Sequence, residues 1–396
     1  MNTNHANHLN KVVQAPQLRP LAIAVGCLFA STSIYAGPVT APVVVNPGEH
    51  QVWDSSYSVD IDQKNGITVN GGTLIMNGVD SKISNTPNGG YGMAAQNGGT
   101  LTLNGGRYDH QTDDSVSAGL SAASGGTVNV VGTTLSTTGQ GYLLMAAGAG
   151  SSLNIEGSDI STRSGDVLHA SKGASVSMKD STIKIGSDSP LRLPTYSIEV
   201  GRGAQFVGEG LTITSDLKGP SGTTLFLSSG SYDGQASHLT LNNSTVSSTE
   251  GQKLLDVTAG AGLDGRNLVL NYHNQNDNQN TVAIGADFGG LLNLTDTELN
   301  VSGDAAAVAL FVTDGGIVNG ERLVINAAGK TQGIQLQHPD SHVVLKDSLV
   351  ATQNGQAIRF AYGEADAPNR VDLIDTELHA ANAWAVDTLN SHAELT

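Results

Sequence analysis

The chain has 396 residues, of which 38% are hydrophobic, 4% aromatic and 14% charged, with 49 glycines and a formal net charge of −17. It is too apolar for a disordered chain and too glycine-rich for a helical one, so many short strands joined by Gly, Asn, Asp, Ser and Thr turns fit it best. An acidic chain without a basic patch excludes nucleic acid as a partner, and electrostatic docking on anionic membranes with it.

Residues 1–36 have the layout of a secretory signal peptide. Lys11 and Arg19 supply the positive region, Leu21 to Ala30 the apolar stretch, and Ile34-Tyr35-Ala36 a small residue for cleavage before Gly37. The apolar stretch is about half the ~20 residues a spanning helix needs. The alternative is acylation at Cys27 in Ala24-Val25-Gly26-Cys27, a weaker pattern because Pro20 shortens the apolar core. Cleavage after Ala36 removes the one cysteine and two positive charges, leaving 17 Lys+Arg against 36 Asp+Glu, a net charge of −19. An exported chain of this size without cysteine cannot lean on disulfides, so its stability must come from repeated burial.

After a lead-in over residues 37–55, the sequence repeats itself. Gly72-Thr73-Leu74-Ile75-Met76-Asn77-Gly78 recurs as Gly99-Thr100-Leu101-Thr102-Leu103-Asn104-Gly105 and as Gly126-Thr127-Val128-Asn129-Val130-Val131-Gly132. A variant form carries Gly208, Gly265 and Gly320, as in Leu263-Asp264-Gly265-Arg266-Asn267-Leu268. Eleven steps from Leu74 to Val371 give a mean period of 27 residues. Each period holds three alternating runs, such as Val167-Leu168-His169-Ala170, Val176-Ser177-Met178 and Ile183-Lys184-Ile185. Period-two alternation sends one set of side chains to one face of a strand, and the i, i+3, i+4 pattern of a helix is missing.

Three strands per repeat without hairpin signals between repeats predict an all-β fold: a right-handed, single-stranded parallel β-helix of about 13 three-strand coils over residues 56–396. One coil buries about six side chains at ~1.5–3 kcal/mol each, against an ordering cost of ~1–2 kcal/mol for every residue, so only an array is stable. Asn77-Gly78, Asn104-Gly105, Lys179-Asp180, Asn242-Asn243 and Lys346-Asp347 follow the second strand, where a sharp corner needs left-handed backbone. Asp180, Asp296, Asp347 and Asp375 are therefore corner residues rather than metal ligands.

The connection after the third strand lengthens at Gly186–Ser197, Ser215–Thr223 and Tyr272–Asn280. Insertions at one corner of nearby coils project from one edge of the rod, and loops on repeat scaffolds often bind. The candidate contact residues there are Ser189, Arg192, Tyr196, Lys218, Ser221, Tyr272, His273 and Asn276.

The repeated Gly-Thr-Leu-Thr-Leu-Asn-Gly coil, Gly208-Glu209-Gly210-Leu211-Thr212-Ile213-Thr214-Ser215, and the preceding runs Ala118-Gly119-Leu120-Ser121-Ala122-Ala123 and Tyr142-Leu143-Leu144-Met145-Ala146-Ala147 carry a family resemblance. Over residues 56–396 the chain resembles the passenger region of pertactin-like autotransporters. The resemblance implies periplasmic export machinery and an outer-membrane β-barrel as partners, display at the cell surface, and adhesion to a host-surface or matrix ligand. No barrel-like run of ~10-residue alternating strands follows, so the sequence reads as a passenger cut within its last coil, periplasmic if it truly stops at Thr396.

The competing class is a secreted β-helical polysaccharide lyase or hydrolase, which needs clustered carboxylates or Asp-bound calcium beside a base. Asp113-Asp114 falls in a corner, Asp60 and Asp62 share a solvent-facing strand side, and His338 and His342 flank a Pro339-Asp340 turn rather than a helix. None forms a catalytic or metal set, and no cofactor motif occurs. A non-enzymatic passenger is the expectation.

Overall fold

The computed structural model describes residues 37–63, 65–86, 89–112, 117–139, 141–163, 166–186, 196–217, 224–249, 253–274, 281–303, 305–389 and 392–396. Their strands form three parallel sheets of fourteen strands each, in which every strand pairs with its copy one turn away. This is the parallel β-helix that the alternation and period imply. We call the sheets A, B and C in the order the chain visits them, and number the turns 1 to 14. Turn 1 holds Pro38–Val39, Val43–Val45 and His50–Trp53, and turn 14 holds Glu377–Ala380, Val386–Leu389 and Ala393–Leu395.

Two sequence expectations shift. The segment read as a lead-in carries turn 1, because Pro38, Val43 and His50 pair with Ser58, Ile67 and Thr73 of turn 2. Its sheet C strand reads His50-Gln51-Val52-Trp53 and lacks the Gly-Thr-Leu signature, which is why self-comparison passes over it. The array therefore has fourteen turns, and thirteen steps from His50 to Ala393 give a mean period of about 26 residues. At ~4.8 Å per step the stack climbs roughly 60 Å.

In-register pairing converts the sequence repeat into columns. Leu74, Leu101, Val128, Leu153, Val176 and Phe206 stack in sheet C, each fully or almost fully buried. The next inward column along sheet C explains the variant repeats. It runs Met178, Gly208, Leu241, Gly265, Leu294, Gly320, Leu345. A Cβ at Gly265 would lie 2.7 Å from Leu268 Cδ1 and 2.8 Å from Leu294 Cδ2, closer than carbon atoms pack. Leu268, just past the corner, thus fills the space its own turn leaves open, as Leu211 and Leu323 do beside Gly208 and Gly320.

From turn 4 on, where this level of sheet C is bulky, the post-corner position is Ser or Thr instead. There the hydroxyl donates to the carbonyl two residues back, at 3.0 Å in Ser158 and 2.7 Å in both Ser244 and Ser348. It also accepts from the backbone N–H one turn below, as Ser244 does from Leu211 and Ser348 from Leu323, both at 3.0 Å. Leucine and hydroxyl are alternative ways to close one corner.

The corner itself is left-handed, as the sequence implies: Asp180, Asn243, Asn267, Asp296, Arg322, Asp347 and Asp375 have φ between 47° and 52°. Outside, amide side chains stack along the rod. Asn319 Nδ2 donates to Asn293 Oδ1 at 2.8 Å and Asn293 Nδ2 to Asp264 Oδ1 at 2.7 Å on sheet C. Asn326 and Asn300 repeat this on sheet A, donating to Asn300 and Asn271 at 2.9 and 3.1 Å.

Candidate functional site

A run of chemistry-bearing side chains stands on the outer face of sheet B, apart from the corner loops. The outward column there reads Met145, His169, Glu199, Leu227, Asp256, Gly285, Phe311, Gln335, Arg359, Asp387 from turn 5 to turn 14. Three interacting groups stand on it. His169 Nδ1 donates to Glu199 Oε2 at 2.8 Å, and its ring lies 5.2 Å from that of Tyr142. Lys253 Nζ donates to Asp256 Oδ2 at 2.9 Å above Gly285, where a Cβ would come within 3.1 Å of the ammonium. Arg359 Nε stands 3.9 Å from Asp387 Oδ2.

Around the first two groups the field is acidic. Burial raises the Asp287 carboxyl pKa above its ordinary value; a hydrogen bond from Thr258 opposes the rise, Asp256 adds to it and Lys253 counters it. Tyr196 is raised by burial and then by the charges of Glu199, Asp256 and Asp287, so these four groups share one surface. A histidine donating to a carboxylate could orient an imidazole for proton transfer. Here the pair lies on an open, pleated face, which suits contact with a partner better than enclosure of a reacting bond.

The sequence candidates separate into three fates. Ser189, Arg192, Lys218, Ser221 and Asn276 lie outside the described residues. Tyr196 and His273 face outward; Tyr196 joins the acidic surface, and His273 Nδ1 meets Ser302 Oγ at 3.0 Å across one turn. Tyr272 is a correction. It is 1% exposed, with Ser248 and Val301 as its column neighbours, and burial raises its phenol pKa. Two residues after inward Leu270, it shares that parity and fills the interior instead of lining the loop edge.

The other flagged residues follow ordinary structural roles. Asp60 and Asp62 are exposed on sheet A, and Asp62 accepts from Ser84 Oγ at 3.1 Å and from Asn85 Nδ2. His338 Nδ1 binds Asp314 Oδ1 at 3.1 Å while His342 Nε2 binds Asp372 Oδ2 at 2.9 Å, so the two histidines serve different carboxylates. Asp113 and Asp114 lie outside the described residues, as do residues 1–36, including Cys27 and Ala36. Gly37 is described and begins the chain that follows.

The reading of insertions missed a second edge, at the corner between sheets B and C. Ser231–Tyr232 and Gln235–Ala236 form a two-residue-per-strand hairpin around Asp233 (φ 50°) and Gly234 (φ 78°), with Tyr232 exposed at its base. Asp-Gly between two short runs is a hairpin signal legible in sequence. On the same edge Phe288 is 65% exposed with φ 44°, and Tyr362 is 54% exposed with φ 60°. Left-handed backbone costs a residue with a Cβ about 1–2 kcal/mol, so aromatic rings held outward there are costly exceptions.

No family model matches the chain, and no curated protein does. Among solved structures, the TibC-catalysed hyper-glycosylated TibA55-350 fragment is similar over 91% of this chain and 99% of that one, at 14% identity and a TM-score of 0.23. At that TM-score the likeness carries no argument, and the parallel β-helix rests on the pairing described above.

Proposed function

We propose that this chain is a secreted or surface-displayed passenger of the autotransporter type, acting as a non-enzymatic adhesin or interaction scaffold. The observation that carries the reading is the division of labour around the rod. Sheets A and C carry stacked amide ladders outward, whereas the exposed aromatics Tyr232, Phe288, Tyr362 and Trp384 stand at the two corners that flank sheet B, beside its His169–Glu199 and Lys253–Asp256 pairs and the raised carboxyl of Asp287. A long scaffold whose exposed aromatics line one side suits recognition of an extended partner. Residues 1–36 act as the export signal in this reading, with the periplasmic export machinery and an outer-membrane β-barrel as transport partners and a host-surface or matrix ligand as target.

The test is expression of the coding region, with whatever follows it in the gene, in a Gram-negative host. Mature protein beginning at Gly37, digestion by protease added to intact cells, and adhesion of those cells to host-cell or matrix-coated surfaces are expected. Protein retained with residues 1–36 intact, or cells no more adherent than the empty host, would overturn the reading.

A further inference from the structure

At turns 11–13 the outer face of sheet B sinks into a depression of about 150 Å³. That is well below the ~300–1,000 Å³ of sites for drug-sized ligands and suits a single sugar ring. Lys330, Gln332, Gln335, Gln337, Arg359 and Tyr362 line it. Two polar atoms in it are buried without a hydrogen-bond partner, Gln332 Oε1 and Arg359 Nε. Buried polar atoms are nearly always satisfied, and each exception calls for an explanation such as a water or ion that completes it.

The remaining chemistry points one way. Gln335 Nε2 donates to Gln337 Oε1 at 3.1 Å, so the neighbouring amides already hold each other in place and present both donors and acceptors. Hydroxyl groups, which donate and accept at once, match such a lining. Tyr362 holds an exposed ring at the rim on left-handed backbone, an apolar face for the C–H side of a pyranose. Lys330 and Arg359 put two cations here and none of the described lining residues carries a carboxylate, in a chain whose net charge is −17. Arg359 stands 3.9 Å from Asp387, an ion-pair distance that leaves the Nε–H unbonded and able to meet a second carboxylate.

We propose that this depression binds one carboxylate-bearing sugar residue, its carboxylate on Arg359 and Lys330, its hydroxyls on the glutamine amides and its ring against Tyr362. This assigns a ligand class to the adhesive surface proposed above and rests on that reading for its biological setting, though not for its chemistry.

The experiment titrates the purified mature chain with D-glucuronate, D-glucose and acetate at physiological salt, followed by saturation-transfer NMR and calorimetry. D-Glucuronate is expected to bind at least tenfold more tightly than D-glucose, and acetate more weakly than either. Arg359→Gln should bring D-glucuronate down to the D-glucose level. Lys330→Gln, a change at an exposed side chain that cannot disturb folding, should weaken D-glucuronate about threefold and leave D-glucose unchanged. Tyr362→Ser should weaken both sugars about tenfold. Equal binding of the two sugars, binding of D-glucuronate unaltered in both Arg359→Gln and Lys330→Gln, or no binding of either sugar by the wild-type chain overturns the proposal. Displayed Lys330→Gln protein separates the two ideas: undiminished adhesion together with a failed titration sinks the pocket alone. Wild-type cells that do not adhere sink the display reading and leave the titration to judge the pocket.

Discussion

Substituting Gly265 by leucine should destabilise the rod sharply, and a second change three residues later should restore it. The added side chain enters a site where even a Cβ would sit 2.7 Å from Leu268 Cδ1 and 2.8 Å from Leu294 Cδ2. Overpacking of this kind costs about 1–3 kcal/mol. Leu268→Ser alone removes a side chain that is 1% exposed and leaves a cavity beside Gly265, at about 2–5 kcal/mol. The double variant Gly265→Leu/Leu268→Ser reproduces the arrangement of turns 4 to 6, where bulky Val130, Ile155 and Met178 stack above one another and Thr133, Ser158 and Ser181 follow their corners. It should therefore unfold within about 1 kcal/mol of wild type, a coupling of at least ~2 kcal/mol in a double-mutant cycle. Urea unfolding of the mature chain followed by far-ultraviolet circular dichroism, with hydrogen exchange across turns 8–10, measures it. Additive losses in the double variant would refute the idea that leucine and glycine trade volume across the corner.

Burial pushes the His110 imidazole pKa down from 6.5 to about 4, against a small upward pull from Asp109. A depressed native pKa means the unfolded chain binds the proton first, so this contribution is complete above pH 6.5 and is lost as pH falls towards 4, by about 2 kcal/mol at pH 5; His110→Leu should flatten that slope, and a chevron-free urea series at pH 7.5 and 5 would show whether it does. Lys253→Met removes a cation that lowers the Asp287 pKa, so that carboxyl should titrate at a higher pH in carbon-detected NMR, and an unmoved midpoint would mean the two groups do not share a field. Phe206→Ala empties an interior site beside Phe226, whose ring centroid is 6.0 Å away, and should lower stability by about 3–5 kcal/mol in the same urea assay.

Much of this architecture was legible in the sequence, for a physical reason. A corner that needs left-handed backbone admits few residue types, so Gly, Asn or Asp holds it in turns 2 to 13 except at Arg322, and the alternation between corners fixes which side chains stack. What stayed hidden lay where local pattern and tertiary position part. Ala94 and Ser121 face outward on sheet B and are 1% exposed, so alternation fades there and conceals that His169, Glu199 and Asp256 form one outward column. Tyr272 shows the reverse error, since length of connection drew attention to a residue whose parity with Leu270 already placed it inside. The depression at turns 11–13 needs three strands and one corner aligned, and spacings of 24 residues, from Val308 to Gln332 and from Ile334 to Ile358, give no local sign of it.

The glycine-and-leucine exchange also has a consequence for how such a chain can grow or shrink. Through turns 2 to 6 the corner-flanking level of sheet C is bulky in every coil, so losing or duplicating one coil would leave like meeting like. From turn 7 to turn 12 the level alternates, and the genetic unit becomes a pair of coils, 57 residues from Gly208 to Gly265 and 55 from Gly265 to Gly320. Excising turn 10 by itself would bring the Gly265 and Gly320 levels together and take away Leu294, which closes over the first of them. This half of the rod is thus set to change length by two steps at a time.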